Sequence, residues 1–111
     1  MVFGFLVTLF VGALICFFGI RNMMGDISSL HSYHRNNVKP EDVKPFGKLV
    51  GIGTLIMGVS VIVMSVATLI ADIYKIELIV HIGMGVMAVG MVIGMVVTFY
   101  SMRKYNGGIF G

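Results

Sequence analysis

The sequence predicts an all-α integral membrane protein with three transmembrane helices and a short amphipathic cytoplasmic helix between the first and the second. Three observations predict it. The chain carries apolar runs at residues 2–20, 49–71 and 78–100, and a helix needs about 20 apolar residues to cross a ~30 Å hydrocarbon core. Hydrophobic residues make up 58% of the chain and charged residues only 12%, where a soluble domain carries about 25% charged residues. Its charges are also segregated, with seven of eight basic residues in two of the three segments outside the runs. At 111 residues the chain is one membrane domain, with residues 21–48 as its long loop.

The first run, residues 2–20, has no charge. No basic residue precedes it and no small-x-small cleavage site follows before Arg21, so it reads as a mature helix rather than a signal peptide. The second run is free of charge throughout, and the third holds only His81 near its start. All three are rich in glycine and β-branched residues. In lipid that is no obstacle, because backbone groups without water must bond within the helix. Three spans put the 21–48 loop and the tail on the same side. Arg21, Arg35, Lys39, Lys44 and Lys48 lie in the loop, and Arg103 and Lys104 in the tail. The positive-inside rule makes that side cytoplasmic, with the N-terminus outside and the C-terminus inside. Asp72 to Glu77 is a tight turn, and the glycine-rich tail from Arg103 is expected to fray.

Helices in lipid meet where small residues let backbones approach. The first span offers Gly4, Thr8, Gly12 and Cys16 at four-residue steps; the second offers Gly51, Gly58 and Ser65 at seven. The third offers Gly83, Gly90 and Gly94, with Met84, Met87, Met91 and Met95 on the adjoining sector and valines and Ile93 opposite. That partition predicts a Gly/Met half facing protein and a Val/Ile half facing lipid. Thioethers suit Cu(I), but no His or Cys cluster completes a site, and methionine readily fills gaps opposite glycine. Cys16, inside an apolar run, reads as an inert buried thiol. Three glycine-bearing faces are more than one three-helix bundle uses, which points to a homo-oligomer or a membrane-protein partner.

In the loop, Gly25 should end or bend the first helix, and Asp26 caps a short helix running to about Asn36. Ile27, Leu30 and His34 share one side of that helix, with Tyr33 beside it, as suits a helix lying among lipid headgroups. His31, Tyr33, His34 and Arg35 are the expected contact residues. Lys39-Pro40-Glu41-Asp42 looks like a helix start, and Pro45 either kinks that helix or opens the second span. His31 and His34 could share a helix face, but a metal site would need one or two further ligands, which only Asp26, Glu41 or Asp42 could supply; surface histidines are the expected reading, with no metal or other cofactor. The loop serines have no nucleophile motif around them. No basic face interleaved with aromatics exists for nucleic acid. Ionisable residues inside a membrane are the usual functional candidates. Here they are Asp72, Glu77 and His81, grouped as a polar cap at the outer end.

Gly19-Ile20-Arg21-Asn22-Met23-Met24 resembles the Gly-Tyr-Asn-x-Met exit from the first span of a small bacterial three-span membrane protein family of unknown function. Phe46-Gly47-Lys48 with Gly51 is similar to the head of that family's second span, although Ile20-Arg21 departs from its tyrosine. The resemblance implies a bacterial inner-membrane location and no particular activity. Gly19-Ile20-Arg21 is also distantly similar to SdpI-type immunity proteins.

Together these readings predict a non-enzymatic inner-membrane protein that acts by helix–helix association with a partner or itself, in an accessory or immunity-type role. One rival is a holin-like pore former. Another is a small transporter or lipid-handling protein, which would need a mid-membrane cavity lined by Ser60, Ser65, Thr54 or Thr68. Reporters fused within the 21–48 loop and after residue 106 should both read the cytoplasm. Opposite compartments would exclude three spans.

Overall fold

The computed structural model of the chain describes residues 2–30 and 32–110, apart from the side chains of Val2 and Tyr33. In order these form α1 (Val2–Met23), α2 (Ser32–Arg35), a 3-10 turn at Pro40–Asp42, α3 (Val43–Tyr74) and α4 (Glu77–Asn106), with no strand among the described residues. Helices α1, α3 and α4 are each long and apolar enough to cross a membrane. The architecture is that of a multi-pass membrane protein.

The long helices outrun the apolar runs that seed them. With 32 residues, α3 is about 48 Å long at 1.5 Å per residue, against a hydrocarbon core of ~30 Å. It begins at Val43, whose N–H bonds the Pro40 carbonyl at the end of the 3-10 turn. Pro45 is then the third helical residue. Its missing donor costs no bond there, because first-turn N–H groups have no partner within the helix. α1 ends in a Schellman closure: Gly25 takes φ 96°, Asp26 N–H donates to the Arg21 carbonyl and Gly25 N–H to that of Asn22, both at 3.0 Å. Lys75, with φ 58°, ends α3. Ile76 N–H then donates back to the Ala71 carbonyl at 3.0 Å, which reverses the chain into α4.

α3 is the middle helix. α1 and α4 both pack along it and have next to no contact with each other. The reason lies in the placement of small residues round α3. At 100° per residue, Gly51, Gly58 and Ser65 fall within about 40° of one another, and Gly53, Ser60 and Ala67 fall about 160° further round. The first set meets α1. Gly12 lies opposite Gly58 and Gly19 opposite Gly51, so a seven-residue step on one helix matches a seven-residue step on its antiparallel neighbour. The approach is backbone to backbone: a Cβ on Gly19 would stand 2.9 Å from the Leu55 nitrogen, and one on Gly12 3.1 Å from the Ile62 nitrogen. Further along, Ser65 Oγ donates to the Phe5 carbonyl at 3.0 Å. The second set meets α4, where Gly94 faces Gly53, Gly90 faces Ser60 and Gly83 faces Ala67. Ser101 Oγ donates to the Phe46 carbonyl at 3.2 Å to close that seam.

Two expectations change here. Gly4 has nothing within 4 Å of a would-be Cβ, so the stripe at four-residue steps is not the α1 seam. Each such step turns about 40°, which carries Gly4 roughly 120° from Cys16, whereas Phe5, Gly12 and Gly19 stay in line. On α4 the contact is narrower than a half: Met84 and Met95 are 50% and 39% exposed, and only Met87 and Met91 are half-buried.

Leucine at Gly19 must push the α3 backbone away. Gly19→Leu should lower stability in detergent micelles by about 1–3 kcal/mol, the usual cost of overpacking. Gly4→Ala should stay within about 0.5 kcal/mol of the parent. Denaturant titrations of helicity check both, and equal effects would place the α1 contact elsewhere.

Candidate functional site

The described charged residues gather at the two ends of the rod, and the ends are built differently. At one end lie seven basic residues, Arg21, Arg35, Lys39, Lys44, Lys48, Arg103 and Lys104, against three acids, Asp26, Glu41 and Asp42. At the other lie Lys75, Asp72 and Glu77.

The basic end is closed by a small core. Phe46 and Val50 from the start of α3 and Met102 from the end of α4 are buried, and Ile27, Leu30, Val38, Tyr105 and Ile109 pack against them. The loop and the tail hold each other in place over this core. Asn106 is fully buried; its Oδ1 accepts from the Asn37 N–H at 2.9 Å, and its Nδ2 donates to the Gly108 carbonyl at 3.0 Å. Asn37 Nδ2 in turn donates to the Asn106 carbonyl at 3.2 Å. His34 Nδ1 lies 2.6 Å from the Ile109 carbonyl, which only accepts, so this nitrogen carries the proton. Arg35 Nε donates to the Leu30 carbonyl at 3.0 Å. Asn22, also buried, accepts from Ser29 Oγ at 3.2 Å.

The tail therefore does not fray as expected. α4 runs to Asn106, Gly107 turns the chain at φ 80°, and Ile109 and Phe110 meet His34 of the loop. The loop helix expected from Asp26 to about Asn36 is not formed as such: among the described residues of that stretch, only the four of α2 are helical. Asp26 accepts from the Ser28 N–H at 3.0 Å, from Ser28 Oγ at 2.6 Å and from the Arg21 guanidinium. Leu30 N–H closes a single turn on the Ile27 carbonyl at 3.1 Å, and residues 26–30 are not helical. Burial of Ile27 and Leu30 against Phe46 outweighs the headgroup-facing helix that their spacing implies. Of the four expected contact residues, His34 and Arg35 join the cap, while His31 and the side chain of Tyr33 lie outside the described residues.

The Ser28 hydroxyl first, then the Ser28 N–H and Arg21, hold the Asp26 carboxyl down to about 2 from its ordinary 3.8. A carboxylate favoured in the folded state contributes above its ordinary value and loses that contribution as the pH falls through the folded one.

At the opposite end the helices part. A cleft of about 300 Å³ lies between α1 and α3, lined by Gly4, Phe5, Thr8, Thr68, Leu69 and Asp72. A second, of about 840 Å³, lies between α3 and α4, lined by Thr68, Ala71, Asp72, Lys75, Glu77 and Val80. Asp72 and Glu77 thus share a cleft, whereas His81 is exposed and is not one of its lining residues. Lys75 Nζ stands 3.8 Å from Asp72. Of the residues expected to line a mid-span cavity, Ser60 lines a groove of about 550 Å³ with Ile82, Gly85, Val86, Val89 and Gly90. Ser60 Oγ donates to the Ile56 carbonyl at 2.7 Å, Ser65 is occupied by Phe5, and Thr68 opens onto the end clefts. Sequence reasoning missed Phe5 and Thr8 for these clefts, and Asn22, Asn37 and Asn106 for the cap. The one signal for the cap was Asn106-Gly107, a frequent helix C-terminal pair.

No family model matches the chain, and no curated protein or solved structure matches it either.

Two outcomes follow from the cap. Asn106→Leu leaves the Asn37 donor unpaired, which should cost about 1–3 kcal/mol and speed amide exchange across residues 27–38 while leaving the α1–α3 seam protected. In a micelle NMR titration the Asp26 carboxyl should titrate near 2, and Ser28→Ala should move it up toward the ordinary carboxylate range.

Proposed function

We propose that this chain is a non-enzymatic inner-membrane protein that works by helix–helix association with a membrane partner or a second copy, in an accessory or immunity-type role. The carrying observation is the unclosed bundle. α1 and α4 flank α3 without closing on each other, and most of α1 is left uncovered by the rest of the chain. Gly12 and Gly19 are taken up by its own α3, so association falls to the free side of α1. Phe3, Phe10 and Phe17 project there at seven-residue steps and are 79%, 67% and 49% exposed. The seven-residue period is that of helices that pack side by side.

In this reading the basic end faces the cytoplasm, following the charge bias, and the N-terminus faces out. The loop–tail cap is then the element presented to a partner at headgroup level. It is suited to that task because it is held by its own core, so little ordering remains to be done on binding. The lipid bilayer is the second partner, with anionic headgroups opposite the seven basic residues.

Cysteine cross-linking in native membranes tests the proposal. With Cys16→Ser as background, Phe10→Cys should give a discrete dimer or a single heterologous adduct, and Val59→Cys, on the lipid-facing side of α3, should not. The purified protein should leave dye-loaded liposomes intact. Dye release by a lone oligomer, without adducts through Phe10→Cys, would overturn association in favour of a pore.

A further inference from the structure

We propose that the paired clefts at the end opposite the basic cap form one lateral binding trough for the primary ammonium of a membrane amphiphile. The best-matched headgroup is phosphoethanolamine. The trough follows from the fold. α1 leaves α3 beyond the Phe5–Ser65 bond, and Gly4, with nothing within 4 Å of its Cβ position, keeps the opening clear. α4 starts on the other side of α3. Thr68 and Asp72, one helical turn apart, line both clefts. At 100° per residue they sit between the seam that meets α1 and the seam that meets α4. They form the floor of a single trough rather than the walls of two unrelated hollows.

Its hydrogen-bonding character is one-sided. Thr8 Oγ1 donates to the Gly4 carbonyl at 2.8 Å, and Thr68 Oγ1 donates to the Ser65 carbonyl at 2.7 Å. A hydroxyl has one proton and two lone pairs, so both threonines offer the trough only acceptors. The carboxylates of Asp72 and Glu77 are acceptors too. The complementary ligand carries several N–H donors on a positive centre, as a primary ammonium does. Phe5 adds an aromatic wall beside the acceptors, of the kind that attracts cations.

The remaining polar group is Lys75. It stands 3.8 Å from Asp72 with its side chain 83% exposed, and exposed pairs of this kind are weak. A zwitterionic headgroup replaces that pair by two better ones, ammonium to Asp72 and phosphate to Lys75. Leu69, Ala71 and Val80 line the apolar sides. The trough opens sideways between helices long enough to span the bilayer, so an attached acyl chain continues along the protein surface in lipid. A tailless ammonium lacks that contact.

Native mass spectrometry of the full chain released from mild detergent tests the assignment with three probes: dioleoylphosphatidylethanolamine, dioleoylphosphatidylcholine and dodecylamine. The ethanolamine lipid should be retained over the choline lipid, which has the same net charge but no N–H. Asp72→Asn should lower its retention by about tenfold, the loss of one charge-assisted hydrogen bond. Thr68→Val and Leu69→Trp, which remove an acceptor and fill the smaller cleft, should act in the same direction with unchanged helicity. These two carry the test if the Asp72 variant misfolds. Lys75→Ala separates the sources. Loss of the ethanolamine lipid but not of dodecylamine assigns the phosphate-bearing headgroup; loss of neither assigns a simple amine at the same ammonium site. Equal retention of the ethanolamine and choline lipids, or full retention by well-folded Thr68→Val and Leu69→Trp, would overturn the proposal.

Discussion

The structure depends on how closely two helix backbones can approach α3 from nearly opposite sides. In hydrocarbon, apolar side chains gain nothing by leaving the solvent, so helix pairing rests on dispersion contacts and on hydrogen bonds across the seam. Gly12 and Gly19 against Gly58 and Gly51 provide that on one side of α3, and Gly83, Gly90 and Gly94 against Ala67, Ser60 and Gly53 on the other. A methyl group at most of these positions would meet backbone. The hydroxyls of Ser65 and Ser101 fix the sliding register of each pair by bonding a carbonyl of the neighbouring helix.

A middle helix with two opposed seams has a consequence for the ends. α1 and α4 are held apart by α3 and do not seal the space between them. At the basic end, the loop and the tail fill it with Phe46, Val50, Met102 and their neighbours, and Asn106 and Asn37 bond the two segments together. At the opposite end the α3–α4 connection is only Lys75 and Ile76, too short to cover anything, and the space remains as clefts over Thr68 and Asp72. One end is compact and basic. The other is open and rich in acceptor oxygens. Loop length accounts for the difference as much as composition does.

The three helices were readable because their signal is local and redundant: long charge-free runs admit no other structure in lipid. Seven-residue spacing on the second span also carried over, since Gly51, Gly58 and Ser65 lie along one contact. The site was much less readable. Asp26 has the chemistry of a helix cap and does accept the Ser28 N–H, yet no long helix follows. Whether Ile27 and Leu30 turn toward lipid or toward Phe46 depends on a residue some twenty positions away, which local periodicity cannot weigh. The docking of Ile109 and Asn106 onto the loop is more distant still in sequence.

By itself, the sequence determined the number of long helices, their approximate limits, the segregation of basic residues and the small residues available for close contact. These follow from hydropathy, charge and side-chain size, all of which act within a helix turn or within one segment. Only the tertiary structure decided that α3 is central, that the glycines pair within the chain, that the tail locks the loop, and that Thr8, Thr68 and Asp72 line adjoining clefts. Each of those depends on which helix faces which, and in a chain whose helices are apolar on every side that choice rests on fit between distant backbones.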